Sequence, residues 1–156
     1  MSYLGSRTDL NPDRIAYLEA ASWRAYYARN WLRVFTLMVQ LNREEFHMPL
    51  LTAISAASDI VRASVAFAPL DNDVATATDH LCQYYAKAQR SRHLATDAAT
   101  LAGLEMDYWV VHRKLAIERK QAPDHTGDIG PMVAALASLH SQLFAAPPAA
   151  ILRRSA

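Results

Sequence analysis

The stretch Leu104-Glu105-Met106-Asp107-Tyr108-Trp109-Val110-Val111-His112-Arg113 sets a carboxylate and an imidazole among apolar residues. On a helix, at 100° per residue, Glu105 and His112 point within about 20° of one another and lie about 10 Å apart along the axis. Leu101, Tyr108 and Leu115 share that direction, so the pair falls on a face that a helical bundle would bury. Burying ionisable groups is costly unless they are neutralised, hydrogen-bonded or metal-bound. Two chemistries use such a pair. One is acid–base catalysis by Glu105 and His112 with Tyr108 as a third member, and the other is coordination of a transition metal ion such as iron or manganese by Glu105 and His112. The plainer reading is a structural hydrogen-bond network with Tyr108 and an arginine from another helix.

A second candidate is Glu44-Glu45-Phe46-His47, where Glu44 and His47 have the i, i+3 spacing that lets one helix offer a carboxylate and an imidazole to one metal ion. The motif resembles half of the ferritin-like di-iron pattern, in which a lone Glu and a Glu-x-x-His recur in each half of a bundle. The chain holds no second Glu-x-x-His, because Glu105 is followed by Tyr108 and Glu118 by Gln121, so the paired site does not carry over. On one continuous helix Glu19 would stand roughly 37 Å from Glu44, out of reach unless the helix folds back.

Companions for Glu105 and His112 must come from other helices. Arg62 is a candidate counter-ion for Glu105 or for an anionic ligand, its simpler partner being Asp59 three residues earlier. His80 and His140 lie beside or within apolar faces and are candidate ligand-binding residues, each more plainly a neutral histidine satisfied by a backbone carbonyl or a water. Cys82, the single cysteine, excludes an intrachain disulfide and every Cys-x-x-Cys motif. It reads as a packed, inert thiol.

These residues need elements to position them. Asn11-Pro12-Asp13 reads as a helix start: a capping side chain, a proline at the first helical position and an acid in the first turn. No proline or glycine follows until Pro49, so a single long first helix to about His47 is expected, with a break near Asn30 as the alternative. Pro49 opens a helix to about Phe67, expected to bury Leu50, Ile54, Ala57, Val61 and Ser64, and its many Ala and Ser residues suit close approach by neighbours. A third helix presents Val74, Ala77, Leu81, Tyr84, Tyr85 and Ala88. The fourth, capped by Thr96 or Asp97, holds Glu105 and His112, and Gly103 in it suggests another close helix contact. Pro131 opens the last, with Met132, Leu136, Leu139 and Leu143 inward, and Pro147-Pro148 stops it. The expected fold is all-α, an antiparallel bundle of four or five main helices. Its organisation reads as a flexible segment over 1–11, one helical-bundle domain over 12–146 and a tail over 147–156.

Helix one carries Trp23-Arg24-Ala25-Tyr26-Tyr27-Ala28-Arg29-Asn30-Trp31, aromatic on more than one side. A helix apolar around most of its circumference needs a second surface, so a homodimer through Trp23, Tyr27 and Trp31 is expected. Sixteen Lys and Arg balance fifteen Asp and Glu, which removes the strong field that nucleic-acid or membrane-surface binding uses. No phosphate-binding glycine loop, Gly-x-Ser-x-Gly elbow, dinucleotide fingerprint or His-Glu-x-x-His is present, which argues against nucleotide-dependent enzymes and serine hydrolases. The opening residues lack a signal-peptide core, and no run of about 18 uncharged apolar residues follows, so a cytoplasmic location without membrane insertion is expected. Two functional readings stand. The first is an interior polar site that binds a metal ion or small ligand, with oxidoreductase chemistry as one use, and the second is a non-catalytic interaction or homodimerisation module.

Overall fold

The computed structural model describes residues 10–123 and 127–144, and all its regular structure there is helical. Six helices follow one another: α1 (Pro12–Tyr27), α2 (Trp31–Phe46), α3 (Leu50–Phe67), α4 (Val74–Arg92), α5 (Ala98–Gln121) and α6 (Gly130–Phe144). Each packs against the next, and α2 also meets α4. The tail over 147–156 and most of the N-terminal segment lie outside the described residues.

The long first helix is corrected: the segment from Pro12 to Phe46 is two helices. Arg29 takes a left-handed conformation, φ 53°, without being glycine. Its N–H bonds to the Tyr26 carbonyl at 2.9 Å and that of Asn30 to the Ala25 carbonyl at 2.9 Å, which closes α1 in the paired pattern of a Schellman motif. The Asn30 side chain then accepts from the Arg33 N–H at 3.1 Å and starts α2. Arg14, early in α1, meets Glu44, late in α2, at 3.2 Å, so α2 runs back along α1.

The other starts follow the sequence. Asn11 accepts from the Arg14 N–H, and Asp73 and Asp97 each accept from both the N–H and the hydroxyl of the threonine three residues on. The two aspartates are held below the usual carboxylate range by those backbone and hydroxyl donors.

α3 lies between α2 and α4 and buries Ala53, Ala56, Ala57, Ile60, Ala63, Ser64 and Phe67. Its face is turned from the one expected, since Leu50 and Ile54 are exposed while the small residues face inward and let both neighbours approach. By length and composition α3 is the one described helix that could cross a membrane, yet it carries Asp59 and Arg62. Gly103 marks no close contact, for a methyl group added there would meet nothing within 4 Å.

Two polar links fix the helices around α3. Asn42, wholly buried on α2, donates to the Ala53 carbonyl at 3.1 Å and accepts from the Tyr84 hydroxyl at 2.9 Å, joining α2, α3 and α4. Replacement of Asn42 by Ala leaves the buried Tyr84 hydroxyl without its acceptor and unties α2 from α3. A loss of about 1–3 kcal/mol in unfolding free energy is expected in urea titrations. At the C-terminal end of α3, Arg113 donates to the carbonyls of Phe67, Ala68 and Pro69, and its guanidinium lies 5.2 Å from the Phe67 ring centroid. This cation neutralises a helix end that has no basic residue in its own last turn.

Candidate functional site

α1 lies close along α2 and reaches α5 through its rings. Trp23 stacks on His112 with centroids 3.9 Å apart and meets the edges of Tyr108 and Trp109 at 5.8 Å each. Tyr27 donates its hydroxyl to, or accepts from, His112 Nδ1 at 2.8 Å. Of the rings expected to form a dimer surface, Trp23 and Trp31 are half-buried within the chain and Tyr27 is 40% exposed. Bulky rings hold the backbones of α1 and α5 apart, and a cavity of about 90 Å³ lies beside them.

Its wall is drawn from α1 to α6. The polar members are Glu19, Ser22, Glu45, Ser64, Glu105 and His140, with the hydroxyls of Tyr26, Tyr84, Tyr85 and Tyr108. Trp23, Trp109, Phe46 and aliphatic side chains such as Met38 and Leu139 make the remainder. The local fold explains the convergence. On α1, Ile15, Glu19, Ser22 and Tyr26 are spaced 4-3-4 and share one face, and on α2 Val34, Met38, Leu41 and Glu45 do the same. The turn at Arg29 folds those two faces into one space.

Glu105 points into this cavity with both oxygens engaged, accepting from the Tyr85 hydroxyl at 2.7 Å and from the Trp109 indole at 2.6 Å. Burial raises its carboxyl above the ordinary value, and those two donors oppose the rise. Glu19 stands at the rim, its side chain 33% exposed, with a carboxylate oxygen 3.8 Å from His140 Nε2. Glu45 is the anomaly. It is 4% exposed and has no hydrogen bond or ion pair among the described residues. Burial first, then the nearby Glu19 and Glu105 carboxylates, push its carboxyl well above the ordinary value, with Arg92 opposing. The Ser22 hydroxyl is likewise buried without a partner.

The phenols of Tyr84 and Tyr85 are raised far above their ordinary value, chiefly by burial and then by these carboxylates, and Tyr108 is raised for the same reasons. All three stay protonated, and those of Tyr84 and Tyr85 donate, to Asn42 and Glu105.

The residues picked from the sequence fall into two groups. Glu105, Tyr108 and His140 come together around the cavity. His112 does not join them. It shares its azimuth with Glu105, but two turns further along it is engaged with Trp23 and Tyr27. Burial, then Arg119, lowers its imidazole below the usual histidine value, so it is neutral at physiological pH.

Arg62 is exposed and takes no part, because the buried Asp59 pairs with Lys87 of α4. His80 lies outside the cavity wall, its Nδ1 buried without a partner. Glu44 pairs with Arg14, and His47 is exposed in a left-handed conformation at the end of α2. Among the described residues no three His, Cys, Asp or Glu side chains converge as metal ligands, so the iron or manganese expectation finds no support at either pair.

Glu19, Ser22, Glu45, Tyr85 and Trp109 were not picked out as site residues from the sequence. The signal for Glu45 was present, since it continues the Val34, Met38 and Leu41 stripe while the neighbouring Glu44 points 100° away.

Fold and site define a helical bundle with an acidic, aromatic interior cavity. No protein family, curated protein or solved structure matches this chain.

Proposed function

We propose that the bundle binds a small molecule in this interior cavity, with Glu45 as its principal polar contact. One observation carries the reading: a carboxyl group buried in a cavity wall with no hydrogen-bond or ion-pair partner among the described residues. Packing gains nothing from such a group, and an apolar side chain of similar volume would be more stable there. Strained or unsatisfied groups persist where a ligand supplies the missing contacts. The cavity limits the ligand's size. An apolar cavity of about 150 Å³ takes benzene, so about 90 Å³ suits a smaller molecule, of roughly three to five non-hydrogen atoms.

Glu19 and His140 at the rim, on α1 and α6, mark the way in. Binding is the proposed activity, with Tyr108 and Glu105 as wall residues. His112, held against Trp23 and Tyr27, has no part in this reading.

Thermal unfolding of the full chain with millimolar neutral, cationic and anionic compounds of this size tests the reading. A binder present at about 100 times its Kd stabilises the native state by about 2.7 kcal/mol, or several degrees in Tm. At least one class is expected to do so, and Leu139→Trp, which fills the cavity from α6, is expected to abolish the shift. If no class shifts Tm, or if Leu139→Trp leaves the shift intact, the cavity is not the site.

A further inference from the structure

We propose that the ligand is a small organic cation, a primary alkylammonium ion, held by Glu45 with its alkyl part against the aromatic wall. This rests on the reading of the cavity as a ligand site and adds the ligand's charge and chemical class.

Four observations converge on it. Among the described residues the charged side chains of the wall are Glu19 of α1, Glu45 of α2 and Glu105 of α5, with His140 of α6 at the rim, and no lysine or arginine joins them. Arg92 of α4, a cation whose field reaches Glu45, lies outside the wall. An anion entering this space would meet three carboxyl groups. A cation would meet its complement.

The second observation is which groups lack partners. Glu105 is occupied by Tyr85 and Trp109, Tyr84 by Asn42, and Glu19 lies beside His140. Among the described residues the Glu45 carboxyl, which takes part in no hydrogen bond or ion pair there, and the Ser22 hydroxyl are left, and both accept hydrogen bonds. A primary ammonium group has N–H donors for each, and its bond to a carboxylate is of the strong, charge-assisted kind.

Third, the walls beside these acceptors are rings, including Trp23, Tyr26, Tyr108 and Trp109. The negative faces of such rings attract cations and tolerate a short alkyl chain equally well. Fourth, a bare metal ion is a poor alternative, since the carboxylates do not converge on one point among the described residues. A molecule that spans the space fits better than an ion that needs its ligands close.

A proton accompanies the ligand. With the cavity free, Glu45 holds its proton above the ordinary range, and a cation beside it favours the carboxylate, so binding releases that proton. Affinity for the ammonium ion therefore rises with pH until Glu45 is ionised in the free protein. The groups facing Glu45 that shape this window are Glu19, Glu105, Arg92, Tyr84 and Tyr85.

The test is calorimetric titration of the full chain with isobutylamine, which is protonated at neutral pH, and with isobutanol, its neutral counterpart of the same shape. Wild type is expected to bind the amine at least about tenfold more tightly near pH 7, and to release protons on binding, read from the dependence of the heat on the buffer. Glu45→Gln is expected to erase the preference by weakening amine binding about tenfold while isobutanol changes little. Ser22→Ala, a milder change whose folding is not in question, is expected to weaken the amine several-fold and leave isobutanol alone. Equal binding of the two compounds by wild type overturns the cation assignment and leaves the cavity as a ligand site. So does an amine preference that survives both variants. Failure of both compounds to bind at millimolar concentration overturns the cation assignment, and the cavity reading falls with it if the anionic class also leaves Tm unchanged.

Discussion

A Lys87→Met variant is expected to unfold about 3–5 kcal/mol more readily than wild type, because it strands the Asp59 carboxylate without a counter-charge. The Asp59 side chain is 4% exposed and that of Lys87 20% exposed, so water can do little to replace the lost ammonium group. α3 and α4 meet there across a surface of alanines, among them Ala53, Ala56, Ala63, Ala77 and Ala88, which leaves little slack for a hydration shell. Adding Asp59→Ala to Lys87→Met should recover most of the loss, since the cost lies in the unpaired charge rather than in the missing pair. Urea unfolding of the single and double variants measures both. A single-variant cost below about 1 kcal/mol would place the pair among solvent-screened surface bridges.

The second large effect has the opposite sign. Glu45→Leu should stabilise the protein by about 1–3 kcal/mol, which for a chain of this size is about 2–4 °C in Tm per kcal/mol. The gain depends on pH in a definite direction. The folded-state value of Glu45 is raised, so the native protein binds more protons than the unfolded chain at every pH between the ordinary glutamate value and the raised one. The stability linked to Glu45 is complete below the ordinary value and is lost as pH rises through the folded-state value.

Wild type should therefore lose Tm progressively from mildly acidic to neutral pH, and Glu45→Leu should show a shallower slope. Some slope remains in the variant because Glu105 is also raised, by burial. A Glu45→Leu protein less stable than wild type at neutral pH would mean that the carboxyl group contributes to folding, and the argument that it is kept for a ligand would fall. Stability gained and binding lost in one substitution is the trade expected of a functional site.

Much of the bundle can be read from local chemistry. Asn11-Pro12, Asp73 with Thr76, and Asp97 with Thr100 are caps whose partners lie three residues away, so the sequence places these helix starts correctly. The break at Arg29 is less visible, because that residue takes the left-handed conformation without the glycine that usually marks it. Asn30 is the remaining clue, and a cap inside a long apolar pattern weighs little against the pattern.

That one misreading governed the site. On an unbroken helix Glu19 and Glu45 are remote, whereas on two antiparallel helices they share a cavity. Helical phase puts Glu45, not Glu44, on the apolar stripe of α2. The choice of Glu44 followed a motif of the right spacing but the wrong azimuth. Partners across helices stayed hidden for a different reason: which cation meets Asp59, or which carbonyls meet Arg113, depends on packing between segments far apart in the chain. Glu105 was legible as a buried carboxylate because it interrupts an apolar face. Its partners Tyr85 and Trp109 were not, since one comes from another helix and the other reads simply as core.

The claim that everything functional here depends on is that Glu45 stands in the cavity wall without a partner among the described residues. Carbon-13 NMR of the glutamate side-chain carboxyl groups, with the Glu45 signal assigned by its loss in Glu45→Gln, follows that group through a pH titration of the ligand-free protein. The Glu45 signal is expected to titrate well above the ordinary glutamate range, and addition of isobutylamine is expected to lower its midpoint. A midpoint within or below the ordinary range in the free protein would show a solvated or already paired carboxylate, and would contradict the assignment of this cavity as a ligand site.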